Sequence, residues 1–272
     1  MSQLAAFIEE KKSIKEKRQQ KPILSMTHVV YGYPTVQESL DWMKRLMQEG
    51  VDFIEVQFPF SDPVADGPSI VAACHKALEQ TLDVETCLAQ LGKLAKGFPE
   101  SRIVLMSYLN PMYRFGLDKL AKRAAEENIL GLILPDLPIE QAATYKAACK
   151  DNGIDPIWLV TPVTPPERLA MLASQASGFL YCVARSGVTG HSVHENKSHE
   201  GKATNTSLDD YLAQIKQHAS APMGVGFGLR ERAQIEQLIG KADIAILGSA
   251  LLDAYNKGGQ EEGIKLIKDL FH

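Results

Sequence analysis

Eight short apolar runs alternate with segments of helical spacing along nearly the whole chain. They are rich in Val, Ile, Leu and aromatic residues and read ILSMTHVVYG, VDFIEVQF, RIVLMSY, LGLILPDL, DPIWLVT, GFLYCVA, APMGVGFG and ADIAILG. Continuous apolar strands separated by helices indicate parallel strands, because each helix buries its own apolar stripe on the sheet. Eight such units in about 250 residues match the size of a (β/α)8 TIM barrel, so the predicted fold class is α/β. An open doubly wound sheet remains the alternative, since periodicity does not report closure.

Helices beyond this simple alternation are expected at three places. SQLAAFIEEKK predicts a helix before the first strand, residues 69–98 predict two helices after the second, and GSALLDAYN predicts a short helix after the eighth. In the helix after the first strand, an apolar face repeats with helical spacing and Gly50 marks the end. The prediction is therefore one domain, residues 1–272, with an extra N-terminal helix and extra helices after strands 2 and 8.

Composition excludes several functional classes. The 272 residues are 45% hydrophobic, enough for a large core, and the net charge of −4 gives no basic field for nucleic acid. No segment approaches the ~20 apolar residues of a membrane span, and no signal peptide is apparent. The 4 cysteines have no paired spacing, which favours reduced thiols over disulfides or a zinc site. These features predict a cytoplasmic protein.

The second apolar run contains a carboxylate, and the loop after it contains two more. Side chains alternate along a strand, so Glu55 shares a face with Gln57, and in a barrel the loop after the strand carries chemistry. A Glu in an apolar strand end suits a general acid, although pairing with a buried cation is the structural alternative. Likewise, Asp66 is placed to cap a helix beginning at Pro68, and Asp62 to form a turn.

The string FIEVQFPFSDPVADGP resembles the signature of the tryptophan synthase alpha chain family. GYP, LMSYLNP, LPDLP, ARSGVTG, VGFGL and LGSALL follow in the order of that family, so the resemblance covers almost the full chain. It implies retro-aldol cleavage of indole-3-glycerol phosphate to indole and glyceraldehyde 3-phosphate. In the cleavage, Glu55 would move protons to indole C3 and from the glycerol hydroxyl, while Asp66 would accept the indole N–H.

The resemblance also implies further site residues and a partner. Tyr181 would lie near Glu55, and the long sixth loop would close as a lid in which Thr189 meets Asp66 and Arg185 anchors the base. Tyr108 and Asn110 would line the indole side. A pyridoxal-phosphate-dependent beta chain would receive indole within an alpha2beta2 heterotetramer and contact the loop from Pro59 to Pro68. The alpha chain itself would need no cofactor.

A phosphate site is expected where the seventh and eighth strands end, because barrels commonly bind phosphate there at the start of a short helix. The candidates are Gly226, Phe227, Gly228, Gly248 and Ser249, with Gly187 and Gly190 from the sixth loop. The glycines also permit tight turns without any ligand, and GVGFGL lacks the spacing of a dinucleotide site. We expect no metal, since His191, His194 and His199 stand in a polar loop.

Two departures from the family pattern leave other functions open. The family usually has Gly at the position of Gln57 and often Thr at the position of Val30. Gln57 is expected either to intrude on the indole pocket or to donate a hydrogen bond to Glu55, which would favour the ionised carboxylate. The alternatives are an alpha-like chain that regulates a beta partner with weak or no lyase activity, and another phosphate-sugar enzyme on the same barrel.

Overall fold

A computed structural model describes residues 1–183, 207–226 and 228–271. Within these residues, eight parallel strands form a closed barrel in which β8 returns to pair with β1. The strands are β1 (Leu24–Val30), β2 (Phe53–Gln57), β3 (Arg102–Met106), β4 (Gly131–Ile133), β5 (Asp155–Val160), β6 (Leu180–Val183), β7 (Met223–Gly226) and β8 (Ile244–Leu247). Closure confirms the predicted barrel and rules out the open sheet.

Helices surround the barrel and follow the strands along the chain. They are α1 (Gln3–Lys17), α2 (Val36–Gln48), α3 (Pro68–Ala77), α4 (Val84–Gly97), α5 (Leu109–Phe115), α6 (Leu117–Glu126), α7 (Ala143–Asn152), α8 (Pro166–Gln175), α9 (Leu208–His218), α10 (Arg232–Leu238) and α11 (Ser249–Phe271), with a 3₁₀ turn at Ile139–Gln141. Across the described part of the chain, every helix is too short or too polar to span a bilayer.

The extra helices lie where they are predicted. α1 precedes β1, α3 and α4 both follow β2, and α11 after β8 bends at Gly258 and Gly259, which leave helical geometry. A short additional helix, α5, follows β3 and was not predicted; it stops at Gly116, whose φ of 98° ends the turn before α6 begins.

Alternation along the strands separates two cores. Phe53 of β2 packs inside the barrel with Met26 and Phe179, whereas Ile54 and Val56 face outward to the helices. Glu55 and Gln57 have the same parity as Phe53, and both are buried. The shared face of Glu55 and Gln57 predicted from the sequence is therefore the inward face.

α1 closes the amino-terminal end of the barrel. Leu4 and Phe7 join the interior cluster, and the Phe7 ring meets Phe53 edge to face with 5.3 Å between centroids. Nearby, Asp52 at the start of β2 accepts hydrogen bonds from Lys15 Nζ at 2.9 Å and from the Ser25 backbone N–H at 2.9 Å. The interior is consequently filled at one end, which leaves the carboxyl ends of the strands as the side on which a cavity opens.

Candidate active site

A cavity of about 460 Å³ lies at the carboxyl ends of the strands. Its walls combine an apolar surface from several strands with a few polar groups, the usual composition of a small-molecule site. The lining residues are His28, Glu55, Ala65, Asp66, Ile70, Met106, Ile133, Pro135, Leu159, Tyr181, Val183, Gly226, Gly228, Leu229, Ile246, Gly248, Ser249 and Ala250. Its position matches the end of the barrel at which the sequence places the chemistry.

Glu55 is a buried carboxylate on the wall of this cavity, with 3% of its surface exposed. The hydroxyl group of Tyr181 on β6 donates to its Oε2 atom at 3.3 Å. Burial, followed by the charge of Glu55 and its hydrogen bond, raises the pKa of Tyr181 well above its ordinary value, so the tyrosine stays a neutral donor. Glu55 thus lies within hydrogen-bond reach of a tyrosine hydroxyl that keeps its proton.

His28 is the site residue that the sequence analysis missed. β1 and β2 pair in a register that sets His28 beside Glu55, and His28 Nδ1 lies 3.6 Å from Glu55 Oε1. Burial lowers the pKa of His28, but the charge and hydrogen bonding of Glu55, with smaller contributions from Asp66 and Gln57, outweigh it and raise the pKa above its usual value. The only sequence signal was one ionisable residue in a strand whose other residues are apolar or carry a small hydroxyl group, on the same parity as Met26.

Asp66 does not cap α3. The N-cap is Gly67, which makes no side-chain cap bond, and Pro68 is the first helical residue as predicted. The Asp66 carboxylate turns into the barrel, where Oδ2 accepts hydrogen bonds from Gln57 Nε2 at 2.8 Å and from the Tyr108 hydroxyl at 2.9 Å. The Tyr108 oxygen also accepts from the Ala65 backbone N–H at 3.0 Å, which ties the loop to the strand ends.

Gln57 therefore differs from both sequence expectations. Its amide donates to Asp66 rather than to Glu55, because Gln57 is the last residue of β2 and stands at the level of the loop. It is fully buried and is not among the residues that line the cavity. Val30, the other departure, packs in a cluster with Ile70 and Ala73 of α3.

The predicted phosphate residues in the described chain gather on one wall of the cavity. Gly226, Gly228, Gly248 and Ser249 all line it. The φ of 71° at Gly228 lies in the left-handed region that favours glycine, so the turn after β7 depends on this residue. Ser249 begins α11. The Leu251 and Leu252 N–H groups donate to Gly248 O, so among the described residues the N–H groups of Ser249 and Ala250 are the ones left to favour an anion.

Other predicted residues lie elsewhere. Tyr108 is buried behind Asp66 rather than on the cavity wall, and Asn110 is exposed on α5, where it lines a separate groove with Phe58 and Arg114. Outside the described residues lie Arg185, Gly187, Thr189, Gly190, Phe227 and the three loop histidines. Within the described chain, no three His, Cys, Asp or Glu side chains gather as metal ligands.

A family model described as tryptophan synthase alpha chain matches residues 14–270. The alpha chain from Desulforapulum autotrophicum is 38% identical over 257 residues, 94% of this chain and 98% of that one. The alpha chain from Syntrophotalea carbinolica is 36% identical over 247 residues, 91% of this chain and 94% of that one. These matches extend over both the strand-end carboxylates and the glycine-rich loops.

Solved structures agree in fold. Tryptophan synthase from M. tuberculosis, in an open form, superposes with a TM-score of 0.84 at 31% identity and covers 99% of this chain and 97% of that chain. The tryptophan synthase complex from Pyrococcus furiosus superposes with a TM-score of 0.78 at 26% identity, over 91% of this chain and 96% of that chain. The likeness includes the elements that carry the cavity.

Proposed function

The chain belongs to the tryptophan synthase alpha chain family, and we propose that Glu55 and Asp66 are the residues with which it cleaves indole-3-glycerol phosphate. It is an alpha subunit with lyase activity. The observation that supports this assignment is the convergence of two carboxylates and a helix N-terminus on one cavity of about 460 Å³. One carboxylate would transfer the protons, the other would stabilise the charge that develops on the indole ring, and the helix N-terminus would bind the phosphate.

Glu55 is proposed as the proton carrier of the reaction. The indole C3 carbon must gain a proton before the C–C bond breaks, and the neighbouring glycerol hydroxyl must lose one as the aldehyde forms. Glu55 is buried beside an apolar wall that includes Met106 and Ile246, where a carboxyl group exchanges protons with the substrate rather than with bulk water. The donor hydroxyl of Tyr181 holds one carboxylate oxygen and leaves the other toward His28.

Asp66 is proposed as the acceptor for the indole N–H. Positive charge develops on the ring as C3 is protonated, and a fixed carboxylate near the ring nitrogen stabilises that charge. Gln57 and Tyr108 both donate to Oδ2, so Oδ1 is the oxygen without a donor among the described residues and the one offered to a ligand. The two donors hold the carboxylate in place before substrate arrives, which lowers the cost of reorganisation.

The phosphate group is proposed to bind at the start of α11. Gly248 and Ser249 line the cavity there, and a Cβ atom added to Gly248 would meet no atom within 4 Å, so an anion has room against the backbone. Gly226 lies close to Tyr181 Oη, with 3.6 Å between that oxygen and an added Cβ atom. The Tyr181 hydroxyl therefore lies between the proposed phosphate wall and the proposed acid-base residue Glu55.

A beta chain is the partner that the related tryptophan synthase complex supports. We propose an alpha2beta2 assembly in which the loop from Pro59 to Pro68 meets the partner and pyridoxal phosphate belongs to the beta chain. The apolar side chain of Val64 in this loop is 85% exposed, which suits a contact surface. The four cysteines are buried and unpaired, in keeping with a cytoplasmic setting, and we propose that residues 1–272 work as one domain.

The decisive experiment is steady-state cleavage of indole-3-glycerol phosphate with and without a beta chain. Glu55→Gln should lower kcat by about 10³-fold while circular dichroism and the unfolding midpoint stay near those of the wild type. Glu16→Gln, a change on α1 far from the cavity, is the matched control and should cleave normally. Normal turnover by Glu55→Gln would overturn the assignment.

The same measurements separate the alternatives. Wild-type cleavage that rises when a beta chain is added supports the proposed subunit role. Complex formation without cleavage in either condition would instead indicate a regulatory alpha-like chain, and cleavage of a different phosphate sugar would indicate another reaction on this barrel.

A further inference from the structure

His28 is a basic residue inside a cavity whose other ionisable groups are acidic. It is 7% exposed, and within the described lining it is the sole basic side chain. The ionisable groups that face it are Glu55 from β2, Asp66 from the following loop and Tyr181 from β6, with the neutral amide of Gln57 nearby. Its surroundings therefore favour a positive charge close to Glu55.

The two ring nitrogens of His28 have different surroundings. Nδ1 lies 3.6 Å from Glu55 Oε1, whereas Nε2 is buried and has no hydrogen-bond partner among the described residues. A structural histidine in a core ordinarily has both nitrogens satisfied, because an unpaired buried polar atom costs free energy. The burial of Nε2 without a partner therefore costs folding free energy, and the close ionic contact of the ring is with Glu55, the proposed proton carrier.

We propose that His28 is a positioning residue that shares one proton with Glu55, so that the acid-base group of the cleavage is a His28–Glu55 pair. The inference rests on the proposed function of Glu55 and specifies how that residue is supplied with its proton. At rest the pair carries imidazolium and carboxylate, a neutral combination that makes the burial of both groups tolerable.

The proton balance of the cycle closes within the pair. His28 Nδ1 passes its proton to Glu55 Oε1, and Glu55 then delivers it to indole C3 as the electron pair of the ring takes it up. The C–C bond breaks toward the indole ring, and the glycerol hydroxyl gives its proton to Glu55 as the aldehyde forms. Glu55 returns a proton to His28, so no proton is gained or lost and no other reactant is needed.

Kinetics of two variants test the pair. His28→Asn keeps an amide donor near the position of Nδ1 but carries no charge, and His28→Phe removes both the donor and the charge. With a beta chain present, kcat should fall about 10-fold in the first and about 100-fold in the second, with KM changed less than about twofold. His218→Asn, on the exposed end of α9, is the matched control and should behave as the wild type.

The pH profile supplies a readout that a structural role would not move. Two strongly interacting groups titrate as a unit with two apparent pKa values that belong to the pair. The wild-type profile of kcat should therefore show both, and the His28→Asn profile should lose one of them. Wild-type kcat and an unchanged profile in both variants would overturn the inference.

An NMR titration of labelled histidines tests the pair without activity, with the exposed His218 as internal reference. The pKa of the His28 ring should fall in Glu55→Gln relative to the wild type, because the attractive charge is gone. An unchanged His28 titration would overturn the inference even if cleavage proceeds. Conversely, the expected His28 shift combined with a wild-type chain that does not cleave indole-3-glycerol phosphate would keep the pair and overturn the proposed function of Glu55.

Discussion

The two ends of the barrel treat buried carboxylates in opposite ways. At the amino-terminal end, Asp52 Oδ2 accepts from Lys15 Nζ and from both the backbone N–H and the hydroxyl of Ser25. At the carboxyl end, Glu55 has one hydrogen-bond donor at 3.3 Å and a histidine at 3.6 Å. One carboxylate is enclosed by donors from its own chain, and the other is left with capacity for a ligand.

The same contrast holds for a second pair of carboxylates. Asp243, near the amino-terminal end, pairs with Lys12 and accepts from the Met223 N–H at 2.8 Å, so its two oxygens have separate partners. Asp66 has both of its donors on Oδ2. At the first end the polar groups satisfy one another and stabilise the fold, and at the second they leave oxygen atoms open to a ligand, at some cost to stability.

Most of the unpartnered buried atoms follow this division. Among the described residues, His28 Nε2 and Gln57 Oε1 are unpartnered at the carboxyl end, and Thr27 Oγ1 is unpartnered within β1. The exception at the other end is Arg102 Nε, whose guanidinium lies over the Phe7 ring at 4.2 Å from the centroid. The Arg102 guanidinium therefore makes a cation–π contact with Phe7, while its Nε atom has no hydrogen-bond acceptor.

The strongest way to break the comparison is to neutralise Asp66. Asp66→Asn should lower kcat by about 10²- to 10³-fold, because the amide no longer balances the charge that develops on the indole ring. The measurement is steady-state cleavage with a beta chain, and the unfolding midpoint should stay near the wild-type value. Asp62→Asn, exposed in the same loop, serves as control, and both variants are also compared without the beta chain, which this loop is proposed to contact. Equal kcat in the two variants would contradict the assignment of Asp66.

The opposite result is expected at the amino-terminal end. Asp52→Ala should reduce the free energy of unfolding by about 2–3 kcal/mol, since it removes three hydrogen bonds from a buried site, one of which is an ion pair with Lys15. Urea denaturation measures the loss, and kcat per folded molecule should be unchanged. A stable Asp52→Ala with impaired turnover would reverse the roles of the two ends.

Gln57 tests the contrast between the two ends of the barrel, because it is buried like a structural residue but donates a hydrogen bond to the proposed site residue Asp66. Gln57→Leu should lower kcat about 10-fold, the lower end of the cost of one lost hydrogen bond to a charged group, because Asp66 keeps its bond from Tyr108. Stability should hold, because the change also removes the unpartnered Oε1 atom. Tyr108→Phe removes the other donor to Oδ2, and a double-mutant cycle on kcat would show coupling between the two. Independent effects would count against a shared hold on Asp66.

The smallest effect is a pH dependence of stability from His28. Its folded pKa lies above the unfolded value near 6.5, so its contribution is fully present below pH 6.5 and is lost as pH rises through the folded pKa. As pH rises from about 5.5 to about 9, the free energy of unfolding of the wild type should therefore fall relative to that of His28→Asn. A difference independent of pH would mean that His28 does not gain a proton on folding.

The fold was predictable because its signals are local. Each strand is a continuous apolar run, each long helix has a repeating stripe, and Pro68 marks the start of α3. The parity of Glu55 and Gln57 follows from the same alternation, and the resemblance directs attention to Glu55 and Asp66.

What the sequence could not supply depends on registers and loop paths. His28 meets Glu55 because β1 and β2 pair at that register, a relation between residues far apart in the chain. Asp66 looks like a helix cap until the loop turns its carboxylate inward toward Gln57. Asn110 follows Tyr108 closely, but the start of α5 directs it outward.

The seam between β1 and β8 has a consequence for how the chain reaches its native state. Leu24 of β1 pairs with Ile244 of β8. During synthesis, β1 therefore cannot pair with β8 until almost the entire chain has been made. Until then, the growing sheet has unpaired edges and an unsealed apolar interior, the conditions under which nascent chains associate with one another. Such long-range pairing is slow, which makes the last quarter of the sequence decisive for folding yield.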